Sequence, residues 1–438
     1  MIDIKLLREN PELVKENIKK KFKNDKLKLV DEILEWDKEI KKVRSDAESL
    51  RARRNKLSEE INKLKKEKQD ATHVLNEVKE IPQKIAKIEE VVVELQQKIE
   101  SALMQIPNIM HPNVPSGHDD SENVELRTYG KIKKFDFEVK SHAEIAESLG
   151  VGDFELSAKA SGKGFYYLSG DLALLNQALI RFAIDKMVSK GYTYMETPLM
   201  LNQDVIRNVT DLNDMKNQIY KIDGEELYLI GTSEHSMIGR FIDTVIPAKE
   251  LPVKNTSYSM CFRKEIGSHG IDEKGLYRTH QFNKVEMVVI CHPNDSMKFY
   301  QELQDITVEI FSELEIPVRV LGICSGDLGD LKHIQVDIEA WSPRRNQYFE
   351  VGSCSNLTDA QARRLRIRYE DSGTRLTPHT LNNTAIATSR AMVAILENNQ
   401  NIDGTVTIPK VLHKYMHGKE VITSRHAQKS FSEQLKKE

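Results

Sequence analysis

The chain has 438 residues, more than one hydrophobic core usually serves, so two domains are expected. Its composition, 39% hydrophobic and 30% charged, fits a soluble globular protein, and no apolar run approaches the ~20 residues that a bilayer span needs. A net charge of -3 advertises no polyanion partner for the chain as a whole. The opening Met1-Ile2-Asp3-Ile4-Lys5 has neither the apolar stretch of a secretory signal nor the acid-poor, Arg- and Ser-rich look of a transit peptide, so a cytoplasmic location is expected.

Residues 30–103 carry a seven-residue apolar repeat. One register holds Ile33, Ile40, Ala47 and Ile61, and the other holds Trp36, Val43, Leu50, Leu57 and Leu64, with Arg54 as a polar interruption. After the polar stretch Lys65–Thr72 the repeat restarts at Val74, Val78, Ile81, Ile85, Ile88, Val92, Leu95 and Ile99. Sustained heptads make helices with an apolar seam, and a polar break between two runs folds them back into an antiparallel pair. Pro82 removes one helical hydrogen bond, so it is expected to kink or start the second helix and to shorten it. From Lys38 to Lys68 there are 12 basic and 6 acidic residues, a local excess of +6 that leaves -9 for the remainder. Such a run is either a solvated helix face or a rod that touches phosphates.

Pro107, Pro112, Pro115 and Gly117 mark a linker, so the chain divides into a helical arm over 1–106, a linker over 107–130 and a second domain over 131–438. In that domain short strands are expected at Leu227–Ile230, Ser257–Arg263, Gln281–Ile290, Ile334–Trp341 and Tyr348–Val351. Helices are expected near Leu172–Lys190, Asp295–Leu314, Asp359–Arg368 and Thr384–Asn398. Hairpin-length connections suggest a mostly antiparallel sheet flanked by helices, an α+β domain. The polar end from Ser424 to Glu438 is expected to fray. Cys261, Cys291, Cys324 and Cys354 are far apart and lack C-x-x-C spacing, which favours reduced thiols over disulfides or a zinc site.

The most informative segment is Ser257–Ile290, two strands around a Gly-rich, charged loop, Ile266–Leu276. Strand side chains alternate, so Cys261, Arg263 and Glu265 share one face. On the second strand Phe282, Lys284 and Glu286 oppose Val285, Met287 and Val289. The apolar set belongs in a core. The polar set is either a salt-bridged surface hairpin or one wall of a cleft, where a cation, carboxylates and an aromatic plate suit a nucleotide with an amino acid. Farther on, Arg390 sits in a run of small and apolar residues, Thr384–Leu396. A buried guanidinium needs an anion. That anion is either a core carboxylate or a phosphate, which the planar fork of arginine fits well. Glu350-Val-Gly-Ser353 follows a strand, and its two oxygens can reach a hard cation such as Mg²⁺. Ser161–Gly164 and Ser325–Gly329 lack the ending of a phosphate-binding Walker loop and read as turns. His235, His280 and His333 show no metal spacing, and His280 reads as a structural hydrogen-bonder.

Together these segments resemble a known family. Cys261-Phe-Arg-Lys-Glu265, the loop and Gly275-Leu-Tyr-Arg-Thr-His-Gln-Phe-Asn-Lys-Val-Glu-Met287 look like motif 2 of the class II aminoacyl-tRNA synthetases in its seryl version. Gly191-Tyr-Thr-Tyr-Met-Glu-Thr-Pro198 resembles motif 1, the dimer element, and Thr384–Gln400 resembles motif 3. Thr232-Ser-Glu234, Glu350-Val-Gly-Ser-Cys-Ser-Asn356, Ile408-Pro-Lys-Val-Leu-His-Lys-Tyr-Met416 and the opening Ile4–Pro11 match seryl enzymes as well. Gly352 stands where a second serine is common. Asn383-Thr384 replaces a Gly-Ser pair usual in bacteria, and Thr388-Ser389 is also unlike the bacterial form, so motif 3 resembles an archaeal type.

The resemblance implies a homodimer that uses ATP, L-serine and Mg²⁺ to charge tRNA(Ser), and it leaves tRNA(Sec) open as a second acceptor. It implies that Arg263 binds the α-phosphate, that Glu265 and the backbone near Thr279 meet adenine, and that Phe282 stacks on it. Arg390 takes the γ-phosphate, Glu350 and Ser353 hold Mg²⁺, and the ATP site extends over Lys264, Val351 and Gly352. Thr232, Ser233, Glu234, Glu286 and Thr384 surround serine, and Arg51, Arg53 and Arg54 of the arm face the tRNA. Two other kinds of relative share parts of this set. Enzymes that load amino acids onto a carrier protein lack the arm, and non-catalytic paralogues have no need of Arg263, Glu265, Glu286, Glu350 and Arg390.

Overall fold

The computed structural model describes residues 1–211, 217–265 and 275–424. It divides into two compact units, Met1–Ile109 and Met110–Glu438.

The smaller unit is helical. Asp3 caps α1 (Ile4–Glu9), and Asn10 caps α2 (Pro11–Lys20), where Pro11 supplies a first helical residue that has no amide hydrogen to lose. Two long helices follow, α3 (Leu27–Lys66) and α4 (Thr72–Leu103). The turn between them is closed by Asp70, whose carboxylate accepts from the Thr72 amide and hydroxyl. The heptad positions bury in two clusters. Ile33, Ile40, Leu95 and Ile99 pack with Leu7, Val14 and Ile18 of the short helices, while Leu57, Ile61, Val74, Ile81 and Ile85 form a separate distal cluster. Asp37 accepts a two-pronged contact from Arg8 at 2.9 and 2.6 Å. Lys41 adds a third bond at 2.7 Å, and these partners, Arg8 above all, hold the Asp37 carboxyl below its ordinary range. Pro82 neither starts nor shortens the second helix. It lies inside a continuous 32-residue helix on the exposed face, where water can satisfy the carbonyl that its ring leaves without a donor.

The larger unit is built on an eight-stranded sheet. In chain order its elements are β1 (Val124–Tyr129), α5 (His142–Ser148), α6 (Gly170–Ser189), β2 (Thr193–Tyr194), α7 (Ser233–Gly239), β3 (Val253–Phe262) and β4 (Gln281–Cys291). These are followed by α8 (Ser296–Glu313), β5 (Val318–Gly322), β6 (Ile334–Ser342), β7 (Gln347–Thr358), α9 (Ala360–Arg364), β8 (His379–Ala387) and α10 (Thr388–Asn398). The strand order is β1-β5-β6-β7-β8-β4-β3-β2, antiparallel throughout except for β2 beside β3. One face carries Val285, Met287 and Val289 into the main core with residues of α6, α8 and α10. On the other face Val288 and Ile290 pack with Met237 and Ile238 of α7 and with Ala362 of α9. The sheet is therefore covered on both sides, and the polar residues at the start of β4 lie at the edge of the second cover.

Several expectations change. The stretch 107–130 holds β1, an edge strand of the sheet, and is more than a linker. The helix expected over Thr384–Asn398 begins at Thr388, and Thr384 lies on β8. The helix expected over Asp359–Arg368 is confined to Ala360–Arg364, with Arg368 opening another strand. Glu350–Ser353 lies inside a strand running to Thr358, not after one. All four cysteines are buried free thiols. The segment 266–274 and the end 425–438, which hold most of the motif 2 loop and of the polar tail, lie outside the described residues.

Candidate active site

Strand register brings the chemistry together. On β4 and β3, Phe282 lies opposite Cys261, Lys284 opposite Ser259 and Glu286 opposite Ser257. On the other side of β4, Thr384 of β8 lies opposite Glu286. β7 borders β8 and carries a bulge: Glu350 pairs with Glu339 and Gly352 with Ile338, leaving Val351 as the extra residue. Residues three apart on a regular strand face opposite ways. The bulge cancels that, so Glu350 and Ser353 both reach the cavity while Phe349 and Cys354 stay in the core and Val351, packed with them, also borders the cavity. Gly352 has a local reason as well, because a side chain there would begin 3.3 Å from the Thr384 carbonyl oxygen on the neighbouring strand.

The result is a cavity of about 500 Å³. At one part of it the Arg263 guanidinium lies 5.3 Å from the centre of the Phe282 ring, and its Nε donates to the Gly231 carbonyl at 3.2 Å. The chain here is held by His280, whose Nδ1 lies 2.9 Å from the Arg263 carbonyl, in keeping with its structural reading. Glu265 is reached through a left-handed backbone, φ 48°, and its carboxylate lies 3.7 Å from Arg278. The hydroxyl of buried Thr279 has no protein partner among the described residues.

Farther along, Arg390 Nη1 donates to the backbone carbonyl of Glu350 and contacts its carboxylate, both at 3.0 Å. Burial works against both charges, but each favours the other: Arg390 holds Glu350 below its ordinary range, and Glu350 holds Arg390 above its own. Thus the carboxylate beside Arg390 is Glu350, which lines the cavity and not the core. Asp337 of β6, opposite Ser353, is pushed up to about 7 by burial and by the neighbouring Glu350 charge. Gln335 bridges the pair, donating to Asp337 at 2.6 Å and to Ser353 Oγ at 2.9 Å.

A second acidic group lies under β4 and β8. Glu286 is ion-paired with Lys284 at 2.6 Å, and Thr384 Oγ1 lies 3.4 Å from the same carboxylate. Glu234, on α7, accepts from Gln361 at 3.0 Å and is pushed up to about 7 by burial and by Glu286. Thr232 caps α7 with its hydroxyl on the Glu234 amide. Lys284 pairs directly with Glu286, and Glu234 feels Lys284 and Lys332 only through space, so its carboxyl stays raised. His235 is kept neutral, its imidazole pulled down to about 3 by burial and by Lys284 and Arg263.

Of the residues expected at the site, Arg263, Glu265, Phe282, Glu286, Thr232, Glu234, Thr384, Thr279, Glu350, Val351, Gly352, Ser353 and Arg390 all border this one cavity. Two do not. Ser233 is fully buried and donates to the Ser257 carbonyl, and the Lys264 ammonium lies over the Tyr220 ring. Lys284 faces the cavity with the polar set to which alternation assigned it, while sequence reasoning missed Asp337 and Lys332. It read Ser325–Gly329 as a plain turn, whereas Gly329 and the next three residues line the cavity. Asp337 carried a usable signal, being an acidic residue in the apolar alternation Val336-Asp-Ile338. In the arm, Arg51 reaches Glu89 at 2.8 Å and Arg53 grips Glu77 at 2.8 and 3.1 Å, all in exposed contacts. Arg54 is exposed.

Residues 218–399, which hold α7, β3, β4 and the elements through α10, match the tRNA synthetase class II core domain (G, H, P, S and T), and they supply all of the cavity lining except Val209, Thr210 and Asp211. Residues 1–110 match the seryl-tRNA synthetase N-terminal domain. The serine–tRNA ligase of Methanospirillum hungatei is 47% identical over 425 residues, covering 96% of this chain and 100% of that one. That of Pyrococcus horikoshii is 44% identical, covering 96% and 98%. The crystal structure of the Pyrococcus horikoshii seryl-tRNA synthetase complexed with ATP has a TM-score of 0.94 at 43% identity over 97% of this chain and 100% of that one. The cytoplasmic serine–tRNA ligase of Naegleria fowleri in complex with AMP has a TM-score of 0.89 at 30% identity over 97% and 99%. The chain belongs to the seryl-tRNA synthetase family, the serine–tRNA ligases.

Proposed function

We propose that the cavity joins L-serine to the α-phosphate of ATP and then passes the seryl group to a terminal ribose hydroxyl of tRNA(Ser), which the helical arm binds. The observation that carries this reading is the division of charge within one cavity. Arg263 on Phe282, with Arg390 beyond, suits a stacked base and a run of phosphates. Glu234 and Glu286, offset by Lys284 and more weakly by Lys332, suit an ammonium. The ATP complex of the Pyrococcus horikoshii enzyme, which matches nearly the whole chain, supports the nucleotide half.

In this mechanism Phe282 stacks on adenine, with Glu265 and the backbone at Thr279 at its edge. Arg263 holds the α-phosphate and Arg390 the γ-phosphate. Glu286, Glu234, Thr232 and Thr384 hold the ammonium and hydroxyl of serine. The serine carboxylate oxygen attacks the α-phosphorus in line, the bond to the β-phosphate oxygen breaks, and pyrophosphate departs. The ribose hydroxyl then attacks the seryl carbonyl and displaces AMP. No side-chain nucleophile is needed, because the substrate brings its own. The protein supplies alignment and positive charge where negative charge grows. Glu350, Ser353 and Asp337 fit a magnesium ion, since they offer hard oxygens and the repulsion between the two carboxylates is of the kind a divalent cation relieves. Bound there, Mg²⁺ would offset phosphate charge.

The arm's local excess of +6 between Lys38 and Lys68 suits an RNA backbone, and exposed pairs such as Arg51–Glu89 hold too weakly to compete with phosphates. Motif 1, with α6 before it, suits a two-fold homodimer interface. Leu174 and Val188 of α6 are exposed apolar residues in the single chain. The setting of the reaction is the cytoplasm, where tRNA is used, and no helix among the described residues is long and apolar enough to cross a membrane.

The test is serine-dependent ATP–pyrophosphate exchange, followed by transfer to total tRNA. Exchange that requires serine, with an ester formed on tRNA, is expected. Exchange without transfer to tRNA would favour a carrier-loading enzyme, and no exchange a binding protein. Sedimentation of a fully active monomer at micromolar concentration would rule out the dimer.

A further inference from the structure

We propose that a buried relay, Ser342–Glu397–His142, acts as a positioning device that sets Tyr277 against Arg390 and so aims the guanidinium assigned above to the phosphates. The proposal rests on that assignment.

Four distant pieces of chain meet in the relay. His142 opens α5, Glu397 stands near the end of α10, Ser342 ends β6, and Leu276 precedes Tyr277 at the base of the motif 2 segment. Glu397 Oε1 accepts from the His142 amide at 3.3 Å and lies 3.1 Å from His142 Nδ1. Glu397 Oε2 accepts from Ser342 Oγ at 2.5 Å. His142 Nε2 faces the Leu276 amide at 3.1 Å. An amide can only donate, so Nε2 carries the lone pair, and Nδ1 carries the hydrogen given to Glu397. All four residues are buried. The serine is no nucleophile, since it is bonded to the carboxylate rather than to the imidazole and has no exposure.

Both ends of the relay close on Tyr277. At one end, the imidazole fixes the backbone just before it. Gly275 completes this contact: its φ is +119°, and a side chain there would start 2.2 Å from His142 Nε2, so no other residue fits. At the other end, Ser342 Oγ accepts from the Arg345 amide at 3.2 Å. The Arg345 guanidinium lies 4.4 Å from the centre of the Tyr277 ring, and Phe349 meets the ring edge-on at 5.5 Å. The Arg390 guanidinium is 5.2 Å from the same ring, while Glu350 holds it from the other group. Tyr277 therefore sets one of the two contacts that aim Arg390. A salt-bridge partner alone lets a guanidinium pivot, and an aromatic plate restricts its plane.

The test uses the intact protein in pyrophosphate exchange, varying ATP and serine separately, with a thermal melt for each variant. His142→Asn keeps a donor for Glu397 but leaves the Leu276 amide without an acceptor, whereas His142→Gln can place an oxygen there. His142→Asn and Tyr277→Leu are each expected to raise the KM for ATP about tenfold and to leave the KM for serine within about twofold. His142→Gln and Tyr277→Phe are expected to stay near the parent. Because His142 does not border the cavity, its effect on ATP is indirect, and Tyr277→Leu has to reproduce it. Tyr277→Leu should also add nothing on top of Arg390→Ala. Folded variants with an unchanged KM for ATP would overturn the relay. So would a loss that falls equally on ATP and serine and tracks the melt. If Arg390→Ala itself leaves ATP use intact, the phosphate assignment fails. If only the Tyr277 and His142 variants are silent, the relay alone fails.

Discussion

In the helical unit, Arg51 and Arg53 meet Glu89 and Glu77 in full view of water, whereas in the larger unit Glu234, Glu286 and Lys284 are gathered beneath a sheet with two carboxylates to one ammonium. The carboxylate that the arm does bury, Asp37, is fully matched by Arg8 and Lys41. The difference separates two uses of charge. Exposed, balanced pairs cost little to make or to exchange, which suits a surface that must grip and release a long polyanion. Buried, unbalanced groups are costly unless a ligand completes them, so they mark where substrate belongs.

The largest expected effect comes from removing a half-buried cation. Arg390→Ala should lower adenylate formation by about 10³-fold while the thermal melt stays cooperative, as stopped-flow or exchange assays beside circular dichroism would record. Activity restored by cooling an unstable variant would show instead that Arg390 is a core partner of Glu350. Next, Thr384→Ala should weaken serine and narrow the serine-to-alanine ratio of kcat/KM by about tenfold, because alanine lacks only the hydroxyl. An unchanged ratio would remove Thr384 from the hydroxyl contact.

Glu234→Gln tests the imbalance itself. Burial and Glu286 raise the folded pKa of Glu234 to about 7 from an ordinary 4.5, so the folded state holds a proton that the unfolded state has released. Stability is therefore lost as pH climbs from 4.5 to 7. The amide cannot ionise. It should leave the melting temperature nearly unchanged at pH 4.5, raise it at pH 8, and shrink the fall between them to the share that Asp337, also raised to about 7, still contributes, while serine activation at pH 8 drops. Parallel melting curves for the two proteins across this range would contradict the assignment. The smallest effect belongs to the arm. Arg51→Gln with Arg53→Gln should leave stability and serine activation alone, lower tRNA affinity, and flatten the log–log salt dependence of binding by about 1–2 units. An unaltered slope would mean that these arginines serve only their glutamates.

The same contrast governs what was legible beforehand. The arm could be read residue by residue, because a heptad repeats one packing event: Ile33, Ile40, Ala47, Leu57 and Ile61 are buried as their spacing required. Pro82 misled because its cost depends on whether the freed carbonyl meets water, which spacing alone does not show. In the sheet, the β3–β4 pair was legible from alternation, since Phe282, Lys284 and Glu286 face the cavity and Val285, Met287 and Val289 the core. Thr384 was misplaced on a helix because β8 is buried on both faces, and Leu-Asn-Asn-Thr-Ala-Ile-Ala has no alternation to display. Glu350 and Ser353 were read as reaching one cation from beyond a strand; they lie within β7, and the bulge at Val351, which no local pattern displays, is what gives them a shared face there. The acidic residue within Val336-Asp-Ile338 could have flagged Asp337, but its place opposite Ser353 comes only through the pairing of β6 with β7, a long-range fact that no local pattern carries.

The division of labour between the units is tested most directly by shortening the arm. Residues 44–93 can be replaced by a short turn joining Val43 to Glu94. This removes the distal cluster of Leu57, Ile61, Val74, Ile81 and Ile85 and keeps Ile33, Ile40, Leu95 and Ile99 over the short helices. Serine-dependent pyrophosphate exchange should match the parent, because Arg263, Glu286 and Arg390 all lie in the other unit, and serine ester formation on tRNA should fall by orders of magnitude. A shortened protein that charges tRNA as well as the intact chain would show that the arm is a strut and that its charge is only a solvated face.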